Sequence, residues 1–310
     1  MNSDGNHSTG SFADNAGMKI FYHKWKASSP RGIVQIIHGM MEHGARYDRF
    51  ARFLNDHGFI VVACEHRGHG LTAGKTDNLG YLASKNGWDL VVDNNIQLTA
   101  LIRKEYPGLP VFLFGHSFGS IVARDYFLKN GDELKGLILS GTMQQPKSTL
   151  RFGNLLVRIM TAFRGERFKS RLLIKLGYGS YVRYFKPQRT LFDWLSRDED
   201  EVDKYVNDPF CGQPLTLSFY KDLFKGNLNV QNTSRLKRAP KNLPIFIFGG
   251  SKDPVGRNGR DIFLVADQYK KLGIKDVTAK TYPDGRHEML NEINREEVFN
   301  DVLNWIESKL

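Results

Sequence analysis

Val111-Phe112-Leu113-Phe114-Gly115-His116-Ser117-Phe118-Gly119-Ser120-Ile121 is the stretch on which the reading of this 310-residue chain turns. Four apolar residues after Pro110 predict a short buried strand, and Ile121 to Lys129 carries a helical pattern. Between them stands G-x-S-x-G. A serine on a tight strand-to-helix turn points its hydroxyl out over the edge of a sheet, and the flanking glycines admit the close backbone packing such a turn needs. The pattern alone is weak. Its placement between a strand and a helix makes Ser117 a candidate nucleophile rather than an idle turn serine.

Ile33 to Ile37, Phe59 to Cys64, Leu137 to Leu139 and Ile245 to Phe248 are further short runs rich in Val, Ile and Phe, bounded by Gly or Pro. They predict buried parallel strands, with an alternating strand around Lys19 to Trp25 ahead of them and a strand-like Val277 to Tyr282 behind. Helical spacing of Trp88, Val91, Val92, Ile96, Leu101 and Ile102 fills one gap before Pro107. Asn294, with Glu297 three residues on, predicts the N-cap of a last helix bearing Val298, Val302, Leu303, Ile306 and Leu310. The fold class is therefore α/β: a mostly parallel central sheet flanked by helices. Its sequence comes in two pieces, 15–145 and 236–310, interrupted by a helical insert, 146–235, while 1–14 is expected to be a flexible N-terminus. An insert between parallel strands emerges at their carboxyl ends, where open α/β sheets bind ligands, so it should cover the site.

The insert also explains the charge. The chain carries +11, with 44 Lys and Arg against 33 Asp and Glu. Between Lys147 and Thr190 lie eleven Lys or Arg and one acid, Glu166, a local +10, and Asp193 to Asp208 then holds seven acids against two cations, a local −5. Everything outside Lys147 to Thr190, the acidic run included, sums to only +1. A basic total invites a nucleic-acid reading, but no recognition motif or aromatic stacking platform accompanies the charge, so no nucleic acid partner is expected. Leu150, Leu155, Leu156, Ile159, Met160 and Phe163 share one face of a predicted helix from which Arg151, Arg158 and Arg164 are largely excluded. Such a basic amphipathic helix either roofs a pocket or touches an anionic lipid surface. The longest apolar run, Phe59 to Cys64, is six residues, against the roughly 20 a spanning helix needs. Met1 to Gly17 does not read as a secretory signal, and two cysteines suit a reducing compartment, so the expected location is cytoplasmic.

A serine hydroxyl needs a base to take its proton, and the base needs a carboxylate to orient it. His287 is the only histidine beyond Ser117. Asp253, in Gly250-Ser251-Lys252-Asp253-Pro254, follows a predicted strand, as does His287. Among the other late acids, Asp261 and Asp267 fall in a helical stretch and Asp284 suits a turn, while Asp276 stays open. Acyl transfer also needs backbone donors for the oxyanion. The amide of Met40, in the loop His38 to Gly44, and that of Phe118 are the candidates. His38, His43, His66, His69 and His116 fall in different turns without shared ligand spacing, so no metal is expected.

HGMMEHGARYDRFARFL (38–54), EHRGHG (65–70), GHSFGS (115–120), GSKDPVG (250–256) and GRHEMLNE (285–292) occur in that order. With them the chain resembles the serine hydrolases of the α/β-hydrolase fold, in particular the monoacylglycerol lipase and lysophospholipase-like branch. The resemblance implies a Ser117, Asp253, His287 triad, an oxyanion hole from Met40 and Phe118, a helical cap after the sixth strand, and no cofactor. Met41, Glu65 and Met143-Gln144-Gln145 depart from the family's usual residues, the last near the expected acyl pocket. The implied activity is carboxylic ester hydrolysis, on monoacylglycerol or lysophospholipid-like lipids. A peptidase or acyltransferase would use the same triad, and a non-catalytic binding protein of the same fold is the remaining reading.

Overall fold

Every residue of Phe59–Cys64 is buried, and its side chains alternate strictly between two apolar layers. Phe59, Val61 and Ala63 face one layer and Ile60, Val62 and Cys64 the other. This two-sided burial is what a continuous apolar run without polar alternation demands. It fixes the strand at the centre of a sheet covered on both faces.

The computed structural model describes residues 5–170, 173 and 179–310. Eight strands form one sheet: β1 (His7–Ala13), β2 (Lys19–Trp25), β3 (Gly32–Ile37), β4 (Phe59–Cys64), β5 (Val111–His116), β6 (Gly136–Ser140), β7 (Ile245–Gly250) and β8 (Val277–Tyr282). Their spatial order is β1-β2-β4-β3-β5-β6-β7-β8, with β1 and β2 antiparallel and β3 to β8 parallel. Helices α1 (Asp48–Asp56) and α8 (Arg295–Glu307) cover one face through Phe50, Leu54, Val298, Val302 and Ile306. Helices α2 (Gly87–Glu105), α3 (Phe118–Asn130) and α7 (Arg260–Lys271) cover the other through Val91, Ile102, Ile121, Val122, Ile262 and Val265.

Between β6 and β7 the chain leaves the sheet and forms α4 (Lys147–Arg164), α5 (Glu199–Asn207) and α6 (Leu217–Asn229), with short turns of helix at Gly179–Val182 and Thr233–Leu236. Helix α6 is seated on α2, where a Cβ on Gly226 would overlap the Trp88 ring. Trp88 Nε1 in turn donates to buried Asp125 at 2.6 Å, which also accepts from Asn229 and Arg235. The acidic run is likewise committed to the core: Asp198 pairs with Arg295 and Glu201 with Arg49, both at 2.7 Å. Arg171 and Lys175 of the basic run lie outside the described residues.

One local expectation is overturned and a second holds in position but not in its bond. The N-terminus is not flexible throughout 1–14, because His7–Ala13 pairs antiparallel with β2 along its whole length and the His7 ring stacks on Trp25, 4.7 Å between centroids. Its polar sequence hid it, as an edge strand needs only partial burial on one side. Asn294 does stand at the N-cap of α8, but its side chain accepts no capping bond; its side-chain amide instead donates to Glu297 at 2.9 Å. Among the described residues no helix is long and apolar enough to cross a membrane.

Candidate active site

β5 ends at His116, and α3 begins at Phe118, leaving Ser117 alone in the turn with φ 52° and ψ −118°. A non-glycine residue there carries strain of about 1–3 kcal/mol, which the surroundings must hold. They do so with three hydrogen bonds: Ser117 N donates to Ser140 O at 2.9 Å, and Ser120 donates to Ser117 O through its amide at 2.9 Å and its hydroxyl at 2.6 Å. The glycines are required by contact. A Cβ on Gly115 would lie 2.5 Å from Gly119 O, and one on Gly119 would overlap the Ile37 carbonyl. Phe118 opens α3, so its amide is among the first helical N–H groups, which have no intrahelical partner.

His287 and Asp253 come together on the loops after β8 and β7. His287 Nδ1 lies 2.9 Å from Asp253 Oδ2, both side chains being almost fully buried. Burial disfavours a charge on the imidazole, but the Asp253 carboxylate outweighs it and raises the His287 pKa above 6.5. The competing acids are engaged elsewhere: Asp261 with Arg257 and the Gln144 amide, Asp276 with Lys309, while Asp284 occupies a positive-φ turn. Ser117 and His287 line the same cavity, with no hydrogen bond between them. Such bonds often tighten only once substrate is bound.

Met40 also lines this cavity, in a loop secured at every step. Gly39 N donates to Glu42, Met41 O accepts from Tyr205 OH at 2.8 Å and from Gly212 N at 3.0 Å, and Gly44 N donates to Glu65 at 3.0 Å. Glu65 also meets His23 Nε2 at 2.8 Å, a second role for the longer acid that departs from the family's usual Asp. The histidines from different turns do meet. His38, His66 and His69 cluster with ring centroids 3.9 to 5.8 Å apart; His38 Nδ1 meets Gly39 O and His66 Nε2 meets His38 O in the Met40 loop, the His66 amide donates to His38 Nε2, and His69 Nδ1 meets Arg67 O. Burial lowers the pKa of all three, His66 to about 3, so they act as neutral staples.

Sequence reasoning missed the group that joins the Met40 loop to the His287 loop. Arg46 donates to Glu42 at 2.6 Å and grips Glu288 with two bonds of 2.8 and 2.7 Å, with its guanidinium 4.8 Å from the Tyr205 ring centroid. Burial works against the charge on Glu288, but Arg46 overcomes it and holds that carboxyl at about 2. Glu42 is pushed up by its burial and by Glu288, against the pull of Arg46. The His287 ring is further held between His116 and Trp194, at 4.9 and 5.2 Å. His116 is neutral, its pKa lowered to about 3 by burial and by His287. The Glu42 and Arg46 positions lie inside the motif 38–54, but only the fold brings Glu288, Tyr205 and Trp194 to them. Replacing Arg46 with Met strands two carboxyl groups in the interior. Urea unfolding should then show a loss of about 3–5 kcal/mol, whereas a loss within the range of surface substitutions would refute the clamp.

The cavity has a volume of about 410 Å³ and is mostly apolar, with Met143, Leu150, Leu195, Leu223, Phe224 and Val255 in its wall. Met143 and Gln145, from the stretch that departs from the family's glycines, both line it. Arg124 fixes this stretch by donating to Met143 O at 3.0 Å and to Gln144 at 2.9 Å.

The family model described as "Hydrolase_4: Serine aminopeptidase, S33" matches residues 28–294. The monoacylglycerol lipase of Mycolicibacterium smegmatis is 28% identical, covering 97% of both chains, and the monoglyceride lipase of Homo sapiens is 27% identical over 94% of this chain and 88% of its own. The crystal structure of a thermostable carboxyl esterase from Bacillus coagulans, in complex with glycerol, superposes with a TM-score of 0.90 at 29% identity, covering 97% of this chain and 98% of that one. With its parallel sheet, its strand-turn-helix serine and a family match over most of its length, this chain belongs to the Hydrolase_4 family and has the α/β-hydrolase fold.

Proposed function

We propose that the protein is a carboxylic ester hydrolase of the monoacylglycerol lipase type, with Ser117 as nucleophile, His287 as general base and acid, and Asp253 holding the imidazole. Ser117 Oγ attacks the ester carbonyl carbon as His287 Nε2 takes the hydroxyl proton. The amides of Met40 and Phe118 receive the oxyanion. Collapse breaks the bond to the alcohol, which leaves with the proton from His287. Water, deprotonated by the same histidine, then frees the acid and restores Ser117. The observation that carries the reading is the apolar 410 Å³ cavity with Ser117 and His287 in its wall, because an acyl chain needs such a lining. The monoacylglycerol lipase and carboxyl esterase likenesses support glycerol monoesters or lysophospholipid-like esters as substrates.

The family's description names an aminopeptidase, so amide cleavage is the second reading. An aminopeptidase must hold a substrate ammonium group beside a free carboxylate. Glu42 and Glu288 line the cavity, but Arg46 binds both, which favours the ester. In parallel assays, hydrolysis of monoacylglycerols and nitrophenyl esters should exceed that of aminoacyl arylamides. Ser117→Ala should reduce it roughly 10⁴- to 10⁶-fold. Esterase turnover retained in that variant would refute the mechanism, and arylamides as the better substrates would favour the peptidase.

The helices of 146–235 serve in this reading as a cap, since Leu150, Phe152 and Gly153 of α4 and Leu223 and Phe224 of α6 contribute to the cavity wall. Helix α4 exposes an apolar row, Phe152 (70% exposed), Leu155 (58%), Ile159 (50%) and Phe163 (83%), beside the cations Lys147, Arg151 and Arg158, which pair with no acid among the described residues. Phe152 belongs to both the row and the cavity wall, which puts the row at the entrance. The complementary partner is an anionic lipid surface carrying the substrate, and nucleic acid is not called for. Two free, buried cysteines suit a cytoplasmic setting. Phosphatidylserine vesicles at low salt should retain the protein and release it at high salt, and Phe152→Ser with Phe163→Ser should abolish retention. Equal retention of that variant, or none of the wild type, would remove the surface role.

A further inference from the structure

His43, Asp208 and Cys211 come from two distant segments, the Met40 loop and the turn that follows α5. Their ligating atoms nonetheless all lie within 4.8 Å of one another. His43 Nε2 is 2.8 Å from Asp208 Oδ2. Asp208 Oδ1 is occupied by the Phe210 amide at 2.8 Å, which aims Oδ2 at the imidazole. The Cys211 amide donates to Asp208 O at 3.0 Å, closing the turn that carries both ligands. The two segments are held together by the bonds from Tyr205 OH and Gly212 N to Met41 O, at 2.8 and 3.0 Å, so the cluster is built by the fold.

The Cys211 thiol is only 3% exposed and makes no hydrogen bond to any described residue. The His43 and Asp208 side chains are 15% and 28% exposed, which leaves a solvent path to the cluster. One sulfur, one imidazole nitrogen and one carboxylate oxygen form the mixed set that zinc takes, with water as fourth ligand. Bonds of about 2.3 Å to sulfur and 2.0–2.2 Å to nitrogen and oxygen put neighbouring ligand atoms about 3.3–3.8 Å apart.

We propose that His43, Asp208 and Cys211 form a binding site for a divalent zinc-type cation, separate from the hydrolytic centre and spanning the Met40 loop and the turn after α5. Binding replaces the Cys211 S–H bond with a metal–thiolate bond and releases that proton to solvent, while a His43 ring nitrogen and the Asp208 carboxylate supply the other two ligand atoms. The metal ties the loop bearing the proposed oxyanion donor to the capping segment and takes no part in ester cleavage.

The test is titration of the untagged, chelator-treated full chain with Co²⁺ alone, followed by Zn²⁺ competition against a chromogenic chelator. One equivalent of Co²⁺ should bind with a near-ultraviolet thiolate-to-cobalt band that Zn²⁺ abolishes. Cys211→Ser should eliminate the band and weaken zinc binding at least roughly 100-fold, while Cys64→Ser, altering the thiol inside β4, should retain both. If Cys211→Ser does not fold, Asp208→Asn serves instead, with a loss of at least about 10-fold. Absence of a thiolate band in the wild type, or undiminished zinc binding in either ligand variant, would overturn the site. The readout is independent of turnover, so failure here leaves the ester hydrolase reading intact, and the reverse holds.

Discussion

One backbone conformation organises this molecule: Ser117 held at φ 52° between the end of β5 and the start of α3. Left-handed backbone at a non-glycine residue is unfavourable, so everything around it is arranged to keep it there. Strand β6 supplies the acceptor for its amide, α3 returns two donors to its carbonyl, and glycines on both sides permit the close approach. A parallel sheet buried on both faces is what makes that edge stiff enough to hold the turn. The same sheet order then delivers Asp253 from β7 and His287 from β8 to one end.

The second constraint is electrostatic. Two loops with no sequence connection must be kept in register, and one arginine does it by binding a carboxyl group from each. The interior position makes the cation expensive to remove, since Glu42 and Glu288 lie against one another once Arg46 is gone. It also keeps acidic groups beside the cavity from presenting a free charge. The pocket therefore suits an apolar acyl chain better than a cationic substrate.

Much of this was legible in the sequence because local physics decides it. The apolar runs at 33–37, 59–64, 111–114, 137–139 and 245–248 are strands buried on both faces, and their one polar side chain, Gln35, is satisfied inside by Asn95 and Thr99. Ser117 was readable from its flanking glycines, and His287 from the absence of any other histidine after it. Asp253 was separable from Asp276 only in three dimensions, where one meets the imidazole and the other Lys309. The Arg46 partners, the ring contacts of His116 and Trp194 on His287, and the His43 to Asp208 pair span up to 242 residues and leave no local trace. Strand β1 escaped because an edge strand of Ser, Thr and Gly has no apolar period. The irregular spacing of His38, His66 and His69 gives no sign that they meet, yet neighbouring strand ends bring them together.

In the proposed mechanism Asp253 sets the protonation of His287 so that it can serve Ser117. A pH profile of kcat/KM for ester hydrolysis, compared between the wild type and Asp253→Asn, tests it most directly. Neutral imidazole is the active form, so the rate should rise with pH through the His287 titration. In the wild type the midpoint lies above 6.5, since the carboxylate raises that pKa. In Asp253→Asn the carboxylate that most opposes burial is lost, so the midpoint should move below the wild-type value, and the plateau should fall roughly 10⁴-fold. An unchanged midpoint together with an unchanged plateau would refute that role for Asp253.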